Sequence, residues 1–170
     1  ACLNGKDMEL FDILTPDGKP TGIVKERSIV HTGGDLHGTS HIWLVRRKQH
    51  GFDVLLQKRS KEKDAFPGCY DVSSAGHMAV GDDYLHTAVR ELSEELGVTA
   101  EPEDFKFIGM RDSVVKDTFH GKPFHNHELS AVYVYETDLS EEKFRLQKEE
   151  VDSVLWMNFR ELEKKARNGG

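Results

Sequence analysis

Cysteine, long apolar runs and excess positive charge are all scarce in this 170-residue chain, and each scarcity removes a class of protein. Two cysteines, Cys2 and Cys69, are too few for a disulfide framework and lack the paired spacing of a zinc site, so both read as free thiols. No apolar stretch approaches the roughly 20 residues that cross a bilayer, which argues against a membrane protein. A leader of basic, apolar and small residues is also missing at Ala1, and the expected compartment is the cytoplasm. The formal net charge of −7 disfavours nucleic-acid polymers as partners. A local basic pocket for a small phosphate remains open, so small anionic substrates fit better. Repeats, low-complexity tracts and linkers are lacking too, and the length suits a single domain over residues 1–170. What remains, 37% hydrophobic and 31% charged residues, is the composition of an ordinary globular protein.

Along the chain, Met8 to Leu14 followed by Thr15-Pro16-Asp17-Gly18 reads as a strand closing in a turn, because Pro and Gly supply the backbone angles turns need. Ile42–Arg47 and Phe52–Lys58 are runs of strand formers separated by Lys48-Gln49-His50-Gly51, a hairpin at the centre of a sheet. A charged loop through Ser60–Asp64 ends at Pro67-Gly68 and leads to a short strand, Tyr70–Ser74. Leu85, Ala88, Val89, Leu92 and Leu96 recur at helical spacing, with Asp82 or Asp83 suited to cap the start and Gly97 the end. Phe105–Met110 and Leu129–Tyr135 are further strands, with a polar, histidine-bearing turn region expected between them. Val154–Met157 is another short strand. Asn158–Ala166 reads as an amphipathic helix with Phe159 and Leu162 inward, before a frayed Asn168-Gly169-Gly170 tail. Strands mixed with two helices in this order predict an α/β sandwich. The opening strand and exposed sheet edges leave a homodimer open.

The chemistry concentrates between Gly76 and Val98, in Gly76-x5-Asp82-x7-Arg90-Glu91-Leu92-x-Glu94-Glu95-x-Gly97-Val98. Residues three or four apart on a helix are neighbours, so Glu91, Glu94 and Glu95 crowd like charges onto one strip beside the apolar face. A hard divalent cation such as Mg²⁺ or Mn²⁺ would relieve that repulsion, and such ions commonly join carboxylates to substrate phosphates. The bland alternative, a solvated acidic helix face, does not explain Gly76, Arg90 and Gly97.

This segment resembles the Nudix box, with Asp82 standing where the family usually has Glu. The resemblance covers nearly the whole chain, from about Leu10 to Leu162. It implies an α/β/α sandwich with a mixed β-sheet between helices, and a metal-dependent hydrolase of small organic or nucleoside diphosphate derivatives. It also implies that Glu91, Glu94 and Glu95 ligate Mg²⁺ or Mn²⁺ and that Arg90 orients the glutamates by an ion pair. Glu128 matches by position an acid that related proteins direct toward the metal, which makes it a candidate general base, or else a solvated strand-end glutamate.

The frame is similar to the isopentenyl-diphosphate isomerase branch of the superfamily. Arg59 and Lys63 match diphosphate-contacting positions there, against the alternative of a solvated charge run. Gly76 and His77 join them as candidate substrate-binding residues. His31, His37 and His77 resemble that branch's metal-binding histidines, and are either a second metal site or structural and substrate-contacting side chains. Ala75 stands where an isomerase places its catalytic cysteine, and Asn126 where an acid is expected. Isomerisation is therefore disfavoured, because a methyl group exchanges no proton. A nucleotide-sensing module without catalysis is a third reading, opposed by the intact box acids. Trp43, Phe124 and Tyr133 are either core aromatics or a base-stacking wall.

Overall fold

The computed structural model describes residues 9–63 and 65–168. β1 (Leu10–Leu14) and β2 (Pro20–Glu26) form an antiparallel hairpin, and α1 (Arg27–Gly33) follows at once. The long strand β3 (Leu36–Lys48) turns into β4 (Gly51–Arg59); after the 60s loop come the short strands β5 (Tyr70–Asp71) and β6 (Ser74–His77). Helix α2 (Tyr84–Leu96), a long hairpin of β7 (Phe105–Phe119) and β8 (Lys122–Glu136), strand β9 (Val151–Asn158) and α3 (Phe159–Arg167) complete the chain. The main sheet runs β5-β4-β3-β8-β7, with β6 also on β3 and β9 also on β4. Its β3–β8 pair is parallel, from Leu36 opposite His127 to Val45 opposite Glu136, while the other pairs are antiparallel. A mixed sheet flanked by helices is the α/β/α sandwich expected.

Helix α2 forms where its periodicity places it. The Asp83 side chain accepts the His86 N–H at 2.8 Å, and Gly97 closes the helix at φ 70°, a left-handed angle that glycine reaches without cost. Ala88, Leu92 and Leu96 are fully buried against sheet residues Ile42, Leu44, Leu55, Ala131 and Trp156. Burial of each leucine contributes roughly 1.5–3 kcal/mol.

Elsewhere the structure departs from the expectations. The polar stretch between Phe105–Met110 and Leu129–Tyr135 is strand, not turn: β7 and β8 pair continuously to Phe119 opposite Lys122, leaving a two-residue turn at His120-Gly121 with both residues at positive φ. Charged residues of β7 there are exposed on both faces of the strand, so no hydrophobic alternation marks it, while the tip of the hairpin meets the 60s loop, with Phe119 on Phe66 at 4.8 Å. The expected Tyr70–Ser74 strand is divided into β5 and β6, which pair with different neighbours. Phe159 is exposed and stacks on Phe52 at 4.6 Å between ring centroids, and α3 buries none of its residues. Met8, Cys2 and the last two glycines lie outside the described residues. No helix among the described residues is long and apolar enough to cross a membrane.

Candidate active site

Two groups of side chains meet where β6 passes between β3 and α2. The first is the acidic strip of the helix. Gly76 lies so close to Glu91 that a Cβ placed there would sit 2.0 Å from the Glu91 carboxyl carbon. Only glycine lets the carboxylate rest against the strand. Arg90 Nη1 donates to Glu91 at 2.9 Å and lies 3.7 Å from Glu94 Oε2. Its Nη2 reaches the His77 carbonyl at 3.4 Å and Asp82 at 3.7 Å. The arginine thus ties helix to strand and lies within reach of two glutamates. Among the described residues, the shorter Asp82 meets the chain's acidic strip only through that arginine, and also accepts from the Thr87 hydroxyl at 3.1 Å.

The three glutamates are not equivalent. Glu95 is 5% exposed and accepts the Ser74 hydroxyl at 2.6 Å and the Ala75 N–H at 3.0 Å through Oε1. Burial nevertheless raises its pKa, against the pull of those bonds and of nearby Lys63. Burial, followed by repulsion from Glu95, pushes the Glu91 carboxyl up to about 8, with Arg90 opposing. Glu94 is half exposed. Carboxylates forced together at a glycine cradle are all-oxygen donors of the kind that suits a hard divalent cation, so this strip fits the ion the sequence implied.

The second group gathers residues from four elements: His31 of α1, His37 of β3, His77 of β6 and Glu128 of β8. One ligand atom from each lies within 4.8 Å of all the others. Parallel pairing sets His37 beside Glu128, antiparallel pairing sets Thr39 beside His77, and α1 lowers His31 from above. Phe11 of β1 covers the group, stacked on His77 at 4.9 Å and on His37 at 5.4 Å. His37 Nδ1 lies 3.0 Å from the Asp35 carbonyl, which can only accept, so that nitrogen carries the proton and Nε2 presents a lone pair. This Nε2 is buried with no hydrogen-bond partner among the described residues, as is Asn126 Oδ1 on the neighbouring strand, and Glu128 Oε1 stands 3.9 Å from it. Two orphaned acceptors beside an acid are what a cation would satisfy.

Burial keeps these imidazoles neutral. It takes His31 down to about 2 and His77 to about 4, and lowers His37 as well. Burial pushes Glu128 the other way, but hydrogen bonds from His77 and Asn126 outweigh it and hold the carboxyl well below the usual range. Arg27 Nη1 lies 3.4 Å from His77 Nδ1; a guanidinium only donates, so His77 carries its proton on Nε2, toward Glu128 at 3.5 Å and His31 Nε2 at 3.3 Å. Ligation through His77 Nε2 requires that proton to leave.

The candidate diphosphate contacts are engaged within the chain. Arg59 donates from Nε to the Ala65 carbonyl and from Nη1 to Asp71, both at 3.1 Å, which closes the 60s loop against β5. Lys63 is paired with Glu150, and both side chains are largely buried. Of the aromatics, Tyr133 belongs to the core, while Phe124 lies 5.4 Å from the His31 ring and so borders the histidine group. Arg27 and Phe11 were missed from sequence. Gly33-Gly34 was the available signal for α1, since Gly34 caps it at φ 74° where a Cβ would strike His125 at 2.3 Å.

A mixed sheet carrying a clamped, carboxylate-bearing helix against a glycine strand has the form of a Nudix hydrolase domain, an enzyme class whose members generally use a divalent metal. The chain belongs to the NUDIX domain family, which matches residues 36–170. It is similar to Nudix hydrolase 3 of Arabidopsis thaliana, 42% identical over 90% of this chain, and spans about a fifth (20%) of that protein's length. It is 35% identical to an uncharacterized Nudix hydrolase of Clostridium acetobutylicum over 91% of this chain and 72% of the relative. An isopentenyl-diphosphate Delta-isomerase of Cutibacterium acnes is 28% identical over 92% and 77% of the two chains. The crystal structure of DR0079 from Deinococcus radiodurans shares the fold, with a TM-score of 0.69 at 18% identity over 95% of this chain and 90% of that one.

Proposed function

We propose that this chain hydrolyses the diphosphate linkage of a small organic or nucleoside diphosphate derivative, using Mg²⁺ or Mn²⁺ held by Glu91, Glu94 and Glu95. The observation that carries the reading is the packing of Glu91 against Gly76, with Arg90 fixing the carboxylate there. A bound divalent cation supplies charge neutralisation on the phosphoryl oxygens and a more acidic attacking water. The protein's own part is positional. Arg90 aims Glu91 and Glu94, Ser74 and Ala75 hold Glu95, and the Gly76 backbone leaves room for them. Glu128, ionised and held by His77, is the candidate base. Arg59 and Lys63 support substrate binding by shaping the 60s loop that flanks the strip. The reading places the enzyme in the cytoplasm, consistent with its few cysteines.

The histidine group supports a second ion. His37 Nε2 and Asn126 Oδ1 await a donor or cation, and His31 and Glu128 complete a mixed nitrogen and oxygen set suited to a transition metal. Isomerase chemistry finds less support, because Ala75 presents only a methyl group where a proton donor would be needed and its N–H is occupied by Glu95.

Phosphate release from nucleoside diphosphate derivatives, dinucleotides, thiamine diphosphate and isopentenyl diphosphate, with Mg²⁺ or Mn²⁺, tests the activity. Each of E91Q, E94Q and E95Q is expected to cut turnover at least 100-fold with the fold retained, and unchanged rates in all three would refute the ligand assignment. Glu128→Gln should lower kcat if that carboxylate takes the proton, and an unchanged kcat together with an unchanged pH–rate profile would remove it as the base.

A further inference from the structure

We propose that the outer edge of β7 pairs with the same strand of a second copy, antiparallel about a two-fold axis through Val114. β7 ends the sheet and has β8 as its one strand neighbour among the described residues. It runs for 15 residues, and an exposed edge of that length is a template for another strand. Val114 is 55% exposed, with Met110 and Ile108 also open to solvent along the ribbon.

The sequence of the strand selects the partner. A two-fold axis perpendicular to a sheet keeps each face on its own side, so the symmetric registers are those that oppose residues of equal parity. Centred on Val114, Arg111 of one copy meets Asp117 of the other, and Asp112 meets Lys116. Each pairing occurs twice by symmetry. Moving the centre to Ser113 or Val115 loses all four ion pairs. Moving it to Arg111, Asp112, Lys116 or Asp117 sets that charge against itself, which is unfavourable directly across a strand pair. Arg111 and Lys116 have no ion-pair partner among the described residues; Asp117 accepts only the adjacent Thr118 N–H, while Asp112 also meets His127 at 2.8 Å. The pairable stretch, Gly109–Phe119, ends at the register shift between Phe107 and Gly109. Charges placed only to repel other strands would need no such two-fold complementarity.

Sedimentation velocity over a concentration series tests the pairing. The wild-type chain is expected to show a monomer–dimer equilibrium weakened by salt. R111D and D117R, each turning the two Arg111–Asp117 ion pairs into like-charge oppositions, are expected to weaken it at least tenfold. The double exchange R111D/D117R should restore dimerisation, as should mixing the two single variants. In a Cys2→Ser/Cys69→Ser background, Val114→Cys should form a symmetric intermolecular disulfide on mild oxidation, a readout that needs no change of charge. Wild-type protein that remains monomeric throughout, or a dimer indifferent to both reversals and to the swap, overturns the proposal.

Discussion

At the scale of single residues, Gly76 is the most constrained position of the site. A methyl group there would overlap the Glu91 carboxyl carbon at 2.0 Å and its Cγ at 2.2 Å, so either the strand or the glutamate must move. Overpacking of this kind costs about 1–3 kcal/mol. Gly76→Ala is therefore expected to lower the melting temperature by several degrees and to reduce kcat at least tenfold, because the displaced carboxylate leaves Arg90. Thermal unfolding and kcat measured together check it. Activity equal to wild type would show that the close approach has no role in orienting Glu91. The glycine's requirement was legible in sequence only as a motif position; its physical cause, a carboxylate pressed on the backbone, needed the register of β6 against β3.

Helix α2 shows at the scale of elements why the sequence spoke clearly in one place and faintly in another. Its apolar spacing, Asp83 cap and Gly97 stop agree with one another, so start, end and buried face could all be read. Asp83→Ala should cost about 1 kcal/mol and lower the melting temperature by roughly 2–4 °C. Gly97→Ala should cost more, since it adds a strained φ to a Cβ meeting Arg145 Cβ at 2.7 Å. Equal melting temperatures for the two variants would contradict that ranking. The β7–β8 ribbon gave no such agreement. Arg111, Asp112, Lys116 and Thr118 look like loop, and strand structure there follows from pairing along fifteen residues rather than from a buried face. Helix α1 was hidden for the opposite reason. Seven residues are too few for a periodic pattern, and it is held mainly by Val30 and by Phe11 of the neighbouring hairpin.

For the whole molecule, the consequence of gathering acids and imidazoles in one buried place is a stability that depends on pH from both sides. The Glu91 carboxyl, moved from 4.5 to about 8, retains a proton in the folded chain that the unfolded chain releases. Folding is thus favoured most at low pH by this group, and the contribution is lost as pH rises through 8. His77, moved from 6.5 to about 4, acts in the reverse sense. The unfolded chain binds the proton first, so stability falls as pH drops from 6.5 through 4, and His31 adds to the decline. The metal-free protein should therefore be most stable near neutral pH, with each limb on the order of a few kcal/mol. A divalent cation favours ionised Glu91 and should flatten the alkaline limb. At 100 times its dissociation constant it would also add about 2.7 kcal/mol, roughly 5–10 °C in melting temperature. Melting temperatures recorded from pH 4 to 9, in chelator and in Mg²⁺, would show both effects. E91Q should lose the alkaline decline while keeping the acid one. An alkaline decline that survives both Mg²⁺ and E91Q would mean that the proton and the cation do not share this carboxylate.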